Sequence, residues 1–460
     1  MNIKDDFILN NINDGYLVGG SVRDFLMGKP FKDRDIAIKN AEVFANKLAS
    51  KFDATFIILD ADNKIFRLVL KDKENYLDIS ELRGETVEED LYQRDFTINA
   101  IAYDLKEDKF IDVTGGVKDI ENKIIRSIKE ENFVDDPLRI LRAYRFMSTT
   151  GFEIDNELNK ILNNHKSIIL NPAKERIHDE IMKLFGGKYT SKTLLKMHQD
   201  GILEIIFPIV KEMKKVPRNS HHHLDLVHHV IETVRQIELM YENSEKEIKE
   251  HLDRVDFGGY PRINHLKLAG FLHDIGKPST WTIEIENGKE RHRFIKHDIL
   301  GAEMSVKILK ELKFSNKQIT YISEMIKNHI YPSGVVSAPN LDSKIMMRYV
   351  RKIGDNAIDN IYLAQADRLS AQGPDITKEI TDANIAGLNT LLKFYLNVRE
   401  ELKPLPKLLD GHDIMKMFNI SQSPKIGQIL SELHEAQLNG DITTKDDAEM
   451  FVRKICKEFI

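Results

Sequence analysis

Two aspartates set two residues apart, Asp33 and Asp35, lead into a short apolar run, Ile36-Ala37-Ile38. Side chains at i and i+2 of a strand share a face, so the pattern predicts two carboxylates projecting to one side. Such neighbours repel unless a cation lies between them. A hard divalent ion such as Mg²⁺ meets that need and keeps positions for water and phosphate oxygens. Upstream, Gly19 and Gly20 let backbone approach a ligand closely, and Arg23 offers a guanidinium fork to a phosphate. The stretch GGSVRDFLMGKPFKDRD therefore carries glycine turn, arginine and paired acids in an order that fits a nucleotide with Mg²⁺. The plainer alternative is a solvated turn.

A second cluster follows. In Gln93-Arg94-Asp95-Phe96-Thr97-Ile98-Asn99-Ala100 the spacing predicts an apolar helix with Arg94, Asp95 and Asn99 as its polar minority. In DDPLRILRAYRF, Asp136 is expected as a helix N-cap with Pro137 at the first helical position. Arg139, Arg142 and Arg145 recur every third residue on one broad face, with few facing acids. This suits an anionic or planar partner, and Asp136 beside Arg139 offers an acceptor and donor pair to a base edge. The alternative is a surface helix with an Asp135–Arg139 pair.

A third cluster is rich in histidine. His273-Asp274 ends an apolar run, with His229, His297, His329 and Asp367 elsewhere in the same region. Imidazole and carboxylate together suit transition metals or Mg²⁺ and Mn²⁺. With sixteen histidines in the chain, some of this grouping is expected by coincidence.

The elements that must position these groups change character along the chain. At 460 residues, roughly three or four domains are expected. Residues 16–20, 35–38, 55–59, 65–70, 76–79 and 110–113 read as strands and 42–52 as a helix, an α/β head. From residue 135 the signal is helical: 156–163, 175–185, 192–198, 224–241, 266–273, 299–312, 316–328, 343–353, 357–370 and 378–401, with 242–264 expected to be loop. Boundaries are placed at 134/135, 215/216 (near Val216-Pro217-Arg218-Asn219-Ser220) and 402/403 (at Lys403-Pro404-Leu405-Pro406). Hydrophobic content of 42% with 30% charged residues excludes a disordered chain. No secretory h-region or apolar span is present, so no membrane is expected. The single cysteine, Cys456, excludes an internal disulfide and fits the reducing cytoplasm. A net charge of −6 does not advertise a polyanion partner, although local basic faces can meet one.

Assembled in order, GGSVRD with DRD, QRDFTINA, DDPLRILRAYRF and ERIHDEIMKLF resemble the class II tRNA nucleotidyltransferases, the CCA-adding enzymes and their bacterial poly(A) polymerase relatives. The resemblance implies a polymerase-β-like mixed-sheet head (1–134), a helical neck (135–215), and partners tRNA, CTP and ATP. It implies Mg²⁺ on Asp33 and Asp35, nucleotide phosphate and sugar contacts from Gly20, Arg23 and Arg94, and base reading by Asp136 and Arg139, with Arg142 and Arg145 lining the pocket. Asp78 is a further candidate carboxylate. HDIGK, HDILGAE, KNHIYP and QADRLSAQG resemble an HD-type phosphohydrolase domain (216–402). By that likeness His229, His273, Asp274 and Asp367 hold one divalent metal (Mn²⁺, Ni²⁺, Fe²⁺ or Mg²⁺) and His297 with His329 add a second; phosphatase or 2′,3′-cyclic phosphodiesterase activity is implied. The tail (403–460) is expected to meet the tRNA elbow, with Gly427 letting backbone approach phosphate. Two departures stand out. Gln93 replaces an arginine usual in the second motif, and only 82–87 stands where CCA-adding members carry a flexible loop. A short loop resembles enzymes that add CC alone, so CC addition is favoured over complete CCA addition. The rivals are a poly(A) polymerase and a phosphohydrolase whose head merely binds nucleotide or RNA.

Overall fold

The computed structural model describes residues 3–31, 33–218, 224–286, 289–339, 341–400 and 405–459. The chain forms two compact units: one runs from the N terminus to Lys211 and includes Ile308–Ser315, the other comprises Glu212–Lys307 and Asn316–Ile460. The expected boundary at 402/403 lies outside the described residues, as does part of 216–220.

The first unit is built on a seven-stranded sheet: β1 Tyr16–Val18, β2 Asp35–Ile38, β3 Thr55–Asp60, β4 Ile65–Val69, β5 Tyr76–Glu81, β6 Ala102–Asp104 and β7 Lys109–Ile111. Its order is β3-β4-β5-β2-β1-β6-β7. Only β2 and β5 run parallel, with Asp35 opposite Asp78. The buried Leu17, Val18, Ile36, Ala37, Leu77 and Ile79 hold the central strands. Polar groups at their ends thus emerge along one margin of a rigid sheet.

Three expectations need correction here. Residues 93–100 do not continue a helix; a turn leads to a 3-10 segment, Thr97–Asn99, and then β6. The Asp95 carboxylate accepts the Phe96 N–H at 2.8 Å, and the Thr97 N–H goes to the Arg126 carbonyl at 3.0 Å, so the backbone is bonded elsewhere. The helix Leu138–Thr150 has Pro137, not Asp136, at its N-cap, although Asp136 Oδ1 still accepts the Leu138 N–H at 3.3 Å. Within 242–264, Lys246–Leu252 is helical and a further helix, Arg262–Leu272, begins earlier than expected.

The second unit is helical apart from an antiparallel hairpin, Trp281–Glu286 with Lys289–Phe294, which the helical reading had not included. A buried polar network ties its helices together. Asp359, fully buried, accepts from Arg262 Nε (3.2 Å) and Nη2 (3.0 Å), His251 Nε2 (2.7 Å) and Tyr321 Oη (2.6 Å). Burial pushes the Asp359 carboxyl up, but His251 and Arg262 overcome this and hold it at about 2. Asp359→Ala would leave the buried Arg262 Nε and His251 Nε2 without their carboxylate, while Arg262 keeps Asp256 (2.7 Å) and Asn356 (2.5 Å), and a loss of about 3 kcal/mol is expected in urea unfolding. The contribution is present above pH ~4 and fades as pH falls toward 2, because the folded-state value is depressed. In the tail, Asp410 and Asp413 form a capping box opening Gly411–Phe418, a structural use of that acidic pair.

Candidate nucleotide and metal sites

Gly19 sits between β1 and the helix Gly20–Leu26 with φ of +73°, a conformation open to glycine. A Cβ at this position would lie 3.4 Å from Arg94 Nη1 and 3.5 Å from Asp35 Oδ2. Asp35 and Arg94 therefore converge on the glycine turn. Asp35 is partly buried at the head of β2, whereas Asp33 precedes the strand and is exposed. The Tyr76 hydroxyl donates to Asp33 Oδ1, and Ser21 Oγ donates to the Asp33 carbonyl at 2.6 Å. Burial, then Asp78, then Asp33 push the Asp35 carboxyl up to about 6. Asp78 takes a bidentate grip from Arg67 at 2.7 Å for both bonds, across the β4–β5 register. Three mutually repelling carboxylates facing an arginine have the donor chemistry a hard divalent cation requires.

The arginines are less available than their spacing suggested. Arg23 Nη1 donates to Asn99 Oδ1 at 2.7 Å, and Asn99 Nδ2 donates to Asp95 Oδ1 at 2.9 Å. Arg142 closes on Asp95 Oδ2 through Nε (2.8 Å) and Nη2 (2.6 Å). Arg145 Nε lies 2.7 Å from Glu180 Oε2. All three guanidiniums surround the Phe146 ring, at 5.1, 5.5 and 3.8 Å from its centroid. The expected shortage of facing acids is thus corrected: Asp95 and Glu180, distant in sequence, supply them. Burial favours a rise in the Asp95 carboxyl, but Arg142 and Asn99 hold it far below the usual carboxylate range. Burial lowers Arg145 to about 10, which leaves it charged at neutral pH.

Arg139 donates to the carbonyls of Arg94 (3.3 Å) and Gln93 (3.0 Å). Asp136 meets Arg176 Nη2 at 2.8 Å, and Arg94 pairs with Asp90 through Nε (2.9 Å) and Nη2 (2.7 Å). Gly20 adjoins Arg23, whose Nη2 would lie 3.5 Å from an added Cβ. The connector 82–86 between β5 and the helix Val87–Tyr92 is short and tethered: Gln93 Nε2 donates to the Arg83 carbonyl at 2.9 Å. Tyr76, Arg67, Glu180 and Arg176 were not singled out from sequence, because each acts across a register or a fold contact.

The histidine cluster assembles in the second unit. Asp274 Oδ2 lies 3.3 Å from the Nε2 atoms of both His229 and His273, while Oδ1 faces His297 (3.3 Å) and His329 (3.8 Å). Asp367 Oδ1 is 3.2 Å from His229 and 3.5 Å from His273. Three groupings have metal-ligand proximity: His229/His273/Asp274, His273/His329/Asp367 and Asp274/His297/His329. Backbone carbonyls of Gly270, Phe294 and Ile326 accept from Nδ1 of His273 (2.8 Å), His297 (2.7 Å) and His329 (2.6 Å). Since a carbonyl only accepts, Nδ1 carries a proton in each ring and Nε2 is the atom turned inward. Burial lowers His273, but Asp274 and Asp367 overcome this and hold it up at about 10, so its Nε2 becomes a ligand by giving up a proton when a metal binds. Burial, then His273 and His297, push His329 down to about 3 and keep it neutral. The donor set fits one or two divalent metals.

Residues 15–126 match the poly A polymerase head domain, 151–214 the probable RNA and SrmB-binding site of polymerase A, and 226–372 the HD domain. The multifunctional CCA protein of Neisseria gonorrhoeae is 30% identical over 328 residues, covering 68% of this chain and 72% of that protein. The chain belongs to the CCA-adding tRNA nucleotidyltransferase family. Within the family, the A-adding tRNA nucleotidyltransferase of Deinococcus radiodurans is 28% identical over 448 residues (96% of this chain, 95% of that one). The CC-adding tRNA nucleotidyltransferase of Thermus thermophilus is 27% identical over 452 residues (97% and 95%). In fold, this nucleotidyltransferase is similar to the Thermotoga maritima CCA-adding enzyme complexed with tRNA, with a TM-score of 0.55 at 22% identity, covering 96% of this chain and 91% of that one. Among the described residues no helix is long and apolar enough to cross a membrane.

Proposed function

We propose that this nucleotidyltransferase adds CMP from CTP to the 3′ end of tRNA in the cytoplasm, releasing pyrophosphate. The observation that carries this reading is the convergence of Asp35 and Arg94 on the glycine turn, with Asp78 opposite Asp35 across the parallel strands and Asp33 two residues before it. Asp33 and Asp35 hold Mg²⁺, which when bound stabilises charge on the attacking and leaving oxygens. Gly20, Arg23 and Arg94 hold the triphosphate and sugar. Asp136 and Arg139 face the base of CTP or ATP, and Arg142 with Arg145 brace that helix against Asp95 and Glu180. The domains are then a head (1–134), a neck (135–215), an HD body (216–402) and a tail (403–460) that meets the tRNA. A poly(A) polymerase is less well supported, because the HD domain and the CCA-family relatives point to tRNA.

Restriction to CC rests on the tethered connector 82–86, too short for a mobile loop. Relatives of both specificities are nearly equally similar, so identity does not decide the matter. The deciding assay uses tRNA ending at the discriminator base, at CC and at CCA, with labelled CTP or ATP and Mg²⁺. CTP incorporation on the first substrate, without ATP incorporation on the second, is expected. ATP incorporation on tRNA ending in CC overturns CC restriction.

The HD body supports a second activity, hydrolysis of a phosphoester such as a 2′,3′-cyclic nucleotide. His229, His273, Asp274 and Asp367 hold one metal, Mn²⁺, Ni²⁺, Fe²⁺ or Mg²⁺, and His297 with His329 hold a second. Metal-dependent phosphate release from 2′,3′-cyclic AMP is the expected result; no release with any of these ions overturns this reading.

A further inference from the structure

We infer that Trp281 and His292, side by side on the hairpin, form a stacking platform for the nucleobase of a ligand bound at the histidine–aspartate centre. The proposal rests on the hydrolase reading above and adds to it where a base would sit.

The indole Nε1 donates to His292 Nδ1 at 2.8 Å, with ring centroids 5.7 Å apart and planes inclined by only 14°. Atoms of rings stacked face to face approach no closer than about 3.5 Å. A ring N–H meeting a ring lone pair at the shorter distance requires the two rings to lie edge to edge, close to one plane. The result is a single flat aromatic surface wider than either ring. Strand alternation puts Trp281, Ile283, Ile285, Glu290, His292 and Phe294 on one face of the hairpin. Both platform rings are only partly buried, and Ile283 and Ile285 are exposed beside them.

Two contacts connect the Trp281 end of the platform to candidate metal-ligating residues. Trp281 is opposite Phe294 in the register. The Phe294 carbonyl accepts from His297 Nδ1 at 2.7 Å. The Lys277 ammonium lies 5.5 Å from the Phe294 ring centroid and 2.6 Å from Asp274 Oδ2. One cross-strand pair therefore separates the indole from a backbone group that orients a candidate ligand. On the opposite face, Arg291 pairs with Glu286, and Arg293 with Glu284 and Glu286, so these two arginines are already engaged. Every base has a π face, and stacking on aromatic side chains tolerates any base. The ligand class is thus a nucleotide, held by base on the hairpin and by phosphate at the centre.

Trp281 is the chain's sole tryptophan, so its fluorescence reports on the platform directly. The full-length chain is titrated with 2′,3′-cyclic AMP, 2′,3′-cyclic CMP and, as a sugar phosphate lacking a base, ribose 5-phosphate. Saturable quenching by both nucleotides and none by ribose 5-phosphate is expected. Trp281→Ala is expected to raise KM for cyclic AMP about tenfold with kcat nearly unchanged, and Trp281→Phe to restore most of the loss. No quenching by either nucleotide, or equal quenching by ribose 5-phosphate, overturns the platform. Quenching without hydrolysis leaves the platform standing and removes the hydrolase reading. Hydrolysis without quenching, with KM unmoved in Trp281→Ala, does the reverse.

Discussion

Asp35→Asn is expected to lower nucleotide transfer by at least ~10³-fold while raising the melting temperature of the metal-free chain at pH 7. The two effects share one cause. Burial and the neighbouring Asp78 and Asp33 push the Asp35 carboxyl up to about 6. At pH 7 it is nonetheless ionised, and the folded chain bears the cost. A folded-state value above the unfolded one destabilises, and the penalty is absent below pH ~4, grows between 4 and 6, and is constant above 6. Two pKa units would correspond to roughly 3 kcal/mol; partial exposure of Asp35 reduces this to ~1–2 kcal/mol. Asparagine keeps the shape and removes the charge. Thermal melts of both chains at pH 4, 5, 6 and 7 measure the effect: the gap should open as pH rises. Mg²⁺ should then raise the melting temperature of the native chain by more than that of Asp35→Asn, which keeps the candidate metal centre of the second unit. A variant that transfers CMP normally, or that is less stable at pH 7, would refute the assignment of Asp35 to the cation.

What could be read from the sequence, and what could not, divides by range. Asp33 and Asp35 were legible because an acidic pair ahead of an apolar run is a local pattern. Asp78 could be suspected but not placed, since its position opposite Asp35 depends on β2 and β5 running parallel although they are far apart in sequence. Arg67 and Tyr76 were out of reach for the same reason. The arginine face of Leu138–Thr150 was visible, but not that Asp95 and Glu180 neutralise two of its members. Residues 93–100 misled because their apolar spacing fits a helix, whereas the Asp95 side chain captures the backbone N–H that a helix needs. The hairpin is different. Alternating Trp281-Thr282-Ile283-Glu284-Ile285-Glu286 ahead of Asn287-Gly288 is a local hairpin signal set between strongly helical neighbours. The histidine centre was legible as a set of residues, but the division of Asp274 between two groups of histidines is a matter of side-chain direction alone.

That division makes Asp274 the most consequential position in the second unit. One carboxylate oxygen faces His229 and His273, the other His297 and His329. A residue placed this way can serve two ions, one on each side. Asp274→Asn removes the charge both would share, so Mn²⁺ content after loading and desalting, read by elemental analysis, is expected to fall by about two ions per chain relative to the native chain. His297→Ala, which touches only one side, should lower it by about one. Hydrolysis of 2′,3′-cyclic AMP should fall at least ~10²-fold in Asp274→Asn, with CMP transfer to tRNA unchanged because the head has its own carboxylates. Lys277 loses its ion pair with Asp274 in this variant, so a thermal melt must accompany the metal analysis. Equal metal loss in Asp274→Asn and His297→Ala, with melting unchanged, would mean a single ion held by all six residues rather than two bridged by one carboxylate.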